Sequence, residues 1–297
     1  INLYALREKQ TGYKYPHDTP WQIEMEDAFP YTETEDQLKA ITNVKEDMES
    51  KKLMDRLICG DAGFGKTEVI IRTAFKVVME GKQVAILVTT TVLAQQHHDV
   101  FSDRYAAYPI KIGLLSRFRS AKEQREVTNK LKLGEVDLVI GTHRLLQKDI
   151  QFKNLGLLVI DEEQRFGVSH KEKLKSLRKD LDIISMSATP IPRTLHMSLS
   201  GIRDISLITT APTNRKPVKT FVGEYKSNII RNAILHELER GGQVFFVNNI
   251  VENIDRVAFE IQELVPEANI RIGHGQMKDK ELEDVMFSFV NGEFNVL

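Results

Sequence analysis

Gly60 to Thr67 reads Gly-Asp-Ala-Gly-Phe-Gly-Lys-Thr, which fits the pattern G-x-x-x-x-G-K-[ST] of a loop that holds phosphate. Glycine at 60, 63 and 65 opens backbone conformations closed to other residues and lets N–H groups face phosphate oxygens. Asp61, Ala62 and Phe64 complete the turn, and Glu68 follows it. A helix starting near Lys66 adds the positive end of its dipole to the same anion site. Lys66 suits the β and γ phosphates of a nucleoside triphosphate, and the Thr67 hydroxyl suits Mg²⁺. The alternative is a glycine-rich connector that carries Lys-Thr by chance; an apolar run before the loop and helical spacing after it argue for the phosphate reading.

Such a loop needs a carboxylate on a neighbouring strand. The stretch LLVIDEEQ, 157–164, ends an apolar run on Asp161 and Glu162. Asp161 is expected to hold Mg²⁺ through water, and Glu162 to orient or deprotonate the attacking water. Lys66, Asp161 and Glu162 are therefore the catalytic candidates, and Thr67 and Asp161 the metal ligands. An acidic cluster after a strand can instead cap the next helix. Upstream, Phe29 offers a face for adenine and Gln37 an amide to read its edge, although Thr34 and Gln37 also fit a capping box.

These residues have to be positioned by alternating elements. From about Lys52 the apolar runs LMDRLI, QVAILV, VDLVIGT, LGLLVID and DIISMSA each precede a polar loop and a helix-spaced stretch, the pattern of a parallel sheet covered by helices. Capping boxes at Thr34, Ser120 and Ser169 mark helix starts. Residues 1–50 read as a helical lead-in that includes the adenine-recognition segment, and 51–208 as an α/β ATP-binding domain with a parallel sheet. The proline-rich stretch 209–221 reads as a linker. A second alternation over 222–297 gives the first part of another open α/β domain, and both chain ends look cut from something longer.

Basic and acidic residues nearly cancel, 41 against 42, so any nucleic-acid site is local rather than a property of the whole surface. Cys59 is the one cysteine, which excludes an internal disulfide and a cysteine cluster; it reads as a small buried residue ending a strand. The sequence holds no secretion signal or apolar run long enough for a membrane span, so a cytoplasmic location and no membrane partner are expected. His97, His98 and His196 lack partners at metal-ligand spacing. The basic run 170–179 reads as a solvated helix face or a DNA contact.

The motifs GDAGFGKTEV, TTTVLAQQH, IGTHRLLQ, DEEQRFGV and SMSATPIPRTL, in this order, resemble those of superfamily 2 helicases and translocases of the RecG and transcription-repair coupling factor group, from about Phe29 to Leu297. LLSRFRSAKEQ and GHGQM are more similar to the coupling factors. The resemblance implies an ATP-driven motor that tracks along double-stranded DNA, built on a RecA-like domain at 51–208 and an incomplete second RecA-like domain at 222–297, with RNA polymerase and excision-repair proteins as partners. It places Thr90, Thr91, Gly141, Thr142, His143 and Arg144 on the DNA track, and Arg117 and Arg119, which flank Phe118, on the DNA backbone or in a solvated loop. Gln164, Ser187, Ala188 and Thr189 fall in segments that couple hydrolysis to movement, with His274 and Gln276 doing related work in the second lobe. Gln164 stands where many relatives have histidine. Because the last second-lobe motifs and their arginines lie past Leu297, the chain is expected to bind ATP·Mg²⁺ and hydrolyse it slowly. The competing readings are a RecG-like helicase for branched DNA and, from another class, a nucleotide-gated binding module or P-loop kinase.

Overall fold

The computed structural model describes residues 11–117, 119–163, 166, 181–188, 204–213, 215, 216 and 218–297. The chain divides into two compact units, Ile1–Lys216 and Pro217–Leu297.

The first unit is built on seven strands: β1 (Asp55–Gly60), β2 (Gln83–Leu87), β3 (Ile112–Leu115), β4 (Leu138–Gly141), β5 (Leu155–Asp161), β6 (Asp182–Ser187) and β7 (Asp204–Ile208). Every pairing is parallel, in the order β3-β4-β2-β5-β6-β1-β7. All C-terminal ends therefore lie along one edge of the sheet, the edge at which such sheets bind ligands. Five of these strands coincide with the apolar runs; β3 and β7 are additional. Both are sheet edges: β3 is only four residues long, and β7 is partly exposed, which blurs the apolar signal. In β7 the exposed Asp204 and Leu207 alternate with better-buried neighbours.

Side chains alternate between two cores, as the period of two requires. Val84, Ile86, Ile140, Val159 and Ile184 face one core, and Ala85, Leu87, Val139, Leu158, Ile160 and Ile183 face the other. The first core is covered by helices α1 (Pro20–Asp27), α2 (Glu35–Glu49), α3 (Lys66–Met79) and α4 (Thr91–Arg104), through Met25, Ile41, Val44, Val69, Ile70, Phe75 and Phe101. The N-terminal helices thus share the core of the sheet rather than forming a separate lead-in. Lys76, 4% exposed, is tied to Asp18 at 2.8 Å and Glu49 at 2.9 Å, which offsets the cost of burying its charge. Over the other face lies α5 (Ala121–Leu133), whose Leu131 joins the second core. Its Ser120–Glu123 capping box is formed, as is the Thr34–Gln37 box of α2; the box at Ser169 lies outside the described residues. Cys59 is buried in β1.

The second unit contains α6 (Ser227–Glu239), α7 (Ile254–Leu264) and α8 (Asp279–Val290); α6 and α7 contribute Ile234 and Ile261 to a small core completed by Val265, Ala268 and Val296. The stretches read as strands meet at two parallel bridges, Val244 to Val296 and Ile270 to Val296. Among the described residues no helix is long and apolar enough to cross a membrane.

Candidate nucleotide and nucleic-acid site

The glycine loop joins β1 to α3 at the C-terminal edge of the sheet. Gly63 and Gly65 have φ of 76° and 77°, a region closed to most side chains. A Cβ on Gly65 would also run into the Gln37 amide, and one on Gly60 would lie 2.8 Å from the Ile208 carbonyl oxygen. Inside the turn, Lys66 Nζ donates to the carbonyls of Gly60 at 2.6 Å and Asp61 at 3.0 Å. Thr67 sits half-buried in the first turn of α3. Asp61 accepts from the Ala62 N–H at 2.8 Å, and Phe64 N–H donates to the Asp61 carbonyl at 3.2 Å.

Gln37 does two jobs that spacing alone leaves open. Its Oε1 accepts from Thr34 N–H at 2.8 Å to close the capping box, and its Nε2 donates to the Phe64 carbonyl at 2.9 Å. The amide thereby fastens α2 to the phosphate loop. Phe29 lies under the guanidiniums of Arg72 and Arg104, 5.4 and 5.5 Å from its ring centre. Glu68 is not at the phosphate face: buried, it accepts from Arg72 Nε and Arg104 at 2.9 Å each, in a cluster that also pairs Arg72 with Glu33.

Strand β6 separates β5 from β1, so Asp161 stands two strand spacings, roughly 10 Å, from the loop along the edge. Burial pushes the Lys66 ammonium down, and the charges of Asp161, Glu162 and Asp61 oppose that shift. The lysine and both carboxylates thus share one electrostatic environment. Glu162 has φ 53°, the one positive value outside glycine among the described residues, a strain of the order of 1 kcal/mol or more that clusters at functional positions. Its N–H donates to the Met186 carbonyl at 3.1 Å and its Oε1 accepts from Ala188 N–H at 3.0 Å. The carboxylate after β5 is therefore wired to the residue after β6, next to buried Ser187. Glu163, without a role by sequence, accepts from Ser185 Oγ at 3.0 Å.

Thr67 and Asp161 present hard oxygen donors, and no group of three or more His, Cys, Asp or Glu side chains that could hold a metal forms among the described residues. Oxygen donors of this kind are what Mg²⁺ takes, one or two from protein together with substrate phosphates. His97 adds a contact that its spacing did not signal: its Nε2 lies 3.3 Å from Asp161 Oδ2.

The candidate DNA contacts follow β2, β3 and β4, on the other half of the same edge. Thr90 is exposed and caps α4 by accepting from Leu93 N–H at 3.2 Å, while Thr91 is buried. Arg117 is exposed, and Arg119 pairs with Glu123 at 3.4 Å. After β4, Gly141 and Thr142 are buried and His143 is exposed. Arg144 makes a two-point contact with Asp149 at 2.7 and 2.5 Å. In the second unit, His274 and Gln276 share a turn in which Gln276 N–H donates to His274 Nδ1 at 3.3 Å. Phe118, Gln164, Thr189, His196 and the basic run 170–179 lie outside the described residues.

Comparison with known proteins follows the same lines. The chain is 58% identical over 297 residues to the transcription-repair-coupling factor of Bacillus subtilis (strain 168) and 54% identical to that of Staphylococcus epidermidis strain RP62A, covering 100% of this chain and 25% of each relative. It thus spans about a quarter of the length of these curated relatives. Among solved structures, RecG bound to a three-way DNA junction matches with a TM-score of 0.80 and 31% identity, over 100% of this chain and 41% of that chain. Residues 34–198 match the DEAD/DEAH box helicases, a segment that takes in both the glycine loop and the carboxylate strand. With more than half of its length in that match, the chain belongs to the DEAD/DEAH box helicase family.

Proposed function

We propose that this chain is the motor part of an ATP- and Mg²⁺-dependent double-stranded DNA translocase. In the longer protein it serves transcription-coupled repair, acting on stalled RNA polymerase and with excision-repair proteins in the cytoplasm. The observation that carries this reading is that the glycine loop after β1 and the Asp161–Glu162 pair at the end of β5 lie along one edge of the parallel sheet, with one strand between them, in a chain similar throughout to transcription-repair-coupling factors.

In this reading the loop amides from Gly60 to Thr67 and the Lys66 ammonium bind the phosphates. Lys66 exchanges its two carbonyl partners for phosphate oxygens. Thr67 and Asp161 would hold Mg²⁺, which would neutralise phosphate charge. Glu162 orients the attacking water and accepts its proton, while its contact with the Ala188 N–H links the event to the segment after β6. Thr90, Arg117, His143 and the helix starts behind Thr90 and Ser120 contact DNA phosphates without reading sequence.

The test is duplex affinity of the chain with and without a non-hydrolysable ATP analogue, on DNA of arbitrary sequence. The expected result is a nucleotide-dependent change of several fold; equal affinity in both conditions contradicts a motor. The likeness to RecG bound to a three-way DNA junction favours a second reading, a branched-DNA helicase. Preference for a three-way junction over linear duplex at equal salt would select it.

A further inference from the structure

The segment that follows β7 belongs to none of the motifs above, yet it is fastened to the nucleotide site at two points. At the first, the Asp36 carboxylate, next to Gln37, accepts from the N–H and hydroxyl of Thr209, each at 2.8 Å, and from those of Thr210 at 2.9 and 3.0 Å. At the second, Arg215 donates to Asp61 Oδ2 at 2.9 Å. Its guanidinium also lies over the Phe64 ring, 4.7 Å from the centre, and its Nε would stand 3.5 Å from a Cβ on Gly63. The Arg215 N–H donates to the Pro212 carbonyl at 2.9 Å.

Asp61 is an awkward residue for a site that binds a polyanion, since a bare carboxylate in the loop repels phosphate. Its side chain is held where it is by the Ala62 N–H at 2.8 Å and by Arg215. The Ala62 N–H, followed by the Arg215 guanidinium, holds the Asp61 carboxyl below the usual carboxylate range.

We infer that Arg215 is a positioning residue of the nucleotide site: it neutralises the Asp61 carboxylate and braces Phe64, so that an incoming triphosphate meets amides and Lys66 rather than an uncompensated negative charge. The inference rests on the nucleotide-binding reading of the glycine loop. It makes Thr209, Thr210 and Arg215 part of the site and gives nucleotide occupancy a direct contact with residues that follow β7. An exposed ion pair and an exposed cation–π contact together correspond to a roughly fivefold to tenfold effect on affinity.

The test is equilibrium titration of the 297-residue chain with fluorescent ATP and ADP analogues, using the wild type, Arg215→Ala, Arg215→Lys, Asp61→Asn and the Asp61→Asn/Arg215→Ala double variant. The account expects Arg215→Ala to weaken ATP-analogue binding about fivefold and ADP-analogue binding less, because the unpaired carboxylate opposes the more highly charged ligand more strongly. Arg215→Lys restores most of the loss by keeping the charge, and the double variant returns to within about twofold of wild type because no carboxylate is left to compensate. Arg215→Ala binding the ATP analogue as tightly as wild type overturns the inference. So does an equal loss for both nucleotides that Asp61→Asn fails to rescue, which would mark a role in folding alone. A wild-type chain that binds neither analogue overturns the proposed function, and the inference falls with it.

Discussion

The two halves of the C-terminal sheet edge are built differently. On the half formed by β1, β5 and β6, the functional loops hold one another: Gln37 fastens Phe64, Lys66 bridges two loop carbonyls, and Glu162 takes the Ala188 amide. On the half formed by β2, β3 and β4, Thr90, Arg117 and His143 are exposed, and Arg119 and Arg144 are paired with neighbouring carboxylates. There the buried hydroxyls of Thr89 and Ser116 have no hydrogen-bond partner among the described residues. The difference fits the two ligands proposed. A phosphoryl transfer site must be preorganised before its ligand arrives, whereas contacts to a backbone of repeating phosphates tolerate looser positioning and supply little sequence information.

The comparison is broken most directly by Glu162→Gln. Glutamine keeps an acceptor for the Ala188 N–H but cannot take a proton, so nucleotide affinity should be retained while any turnover falls by about 10²-fold or more. Single-turnover hydrolysis measures this, and undiminished turnover removes Glu162 from the chemistry. Next in size is Glu68→Ala. It leaves Arg72 and Arg104 short of a buried partner and should cost about 3 kcal/mol of stability, read by urea unfolding of the first unit. A stable variant with selectively weakened nucleotide binding would instead return Glu68 to the phosphate face. Gln37→Ala removes both a cap contact and the Phe64 tether and should cost about 1–2 kcal/mol. Its nucleotide affinity should fall for any base if the amide acts through the loop, and for adenine alone if it reads the base.

On the other half, Thr90→Ala should lower duplex affinity by severalfold at most, since one hydrogen bond contributes about 1 kcal/mol, with no change in nucleotide affinity. Smallest is an acid effect at Asp36. The donors from Thr209, backbone first, and then from Thr210 hold its carboxyl at about 2. A depressed folded value stabilises the contact with Thr209 and Thr210 above the unfolded carboxylate range, and that contribution is lost as pH falls toward about 2. An NMR titration of the Asp36 side chain should therefore show an acid-shifted midpoint; an ordinary carboxylate value means that Thr209 and Thr210 are not held in this way.

How much of this was legible follows from where each signal lives. The glycine loop and the Asp161–Glu162 pair announce themselves because their chemistry fixes residue type and spacing within a few positions, next to apolar strands. Edge strands β3 and β7 did not, because a short strand with one paired neighbour carries a weak apolar pattern. Glu68 sits beside the loop in sequence, but the helical turn directs it into the buried arginine cluster. His97 and Arg215 escaped for the opposite reason. Each meets its carboxylate only after the sheet has brought distant segments together, 64 residues apart for His97 and Asp161 and 154 for Arg215 and Asp61. Capping boxes at Thr34 and Ser120 were readable because both partners lie within four residues.

The central claim is that the glycine loop and the β5 carboxylates form one metal-dependent nucleotide site. Calorimetric titration of ATP into the wild type, Lys66→Ala and Asp161→Asn, each with Mg²⁺ and with EDTA, tests it most directly. The account predicts that Lys66→Ala weakens binding about tenfold or more in both conditions, and that Asp161→Asn removes the gain from Mg²⁺ while leaving the EDTA value near wild type. An Asp161→Asn variant that keeps the full Mg²⁺ dependence of the wild type would contradict it.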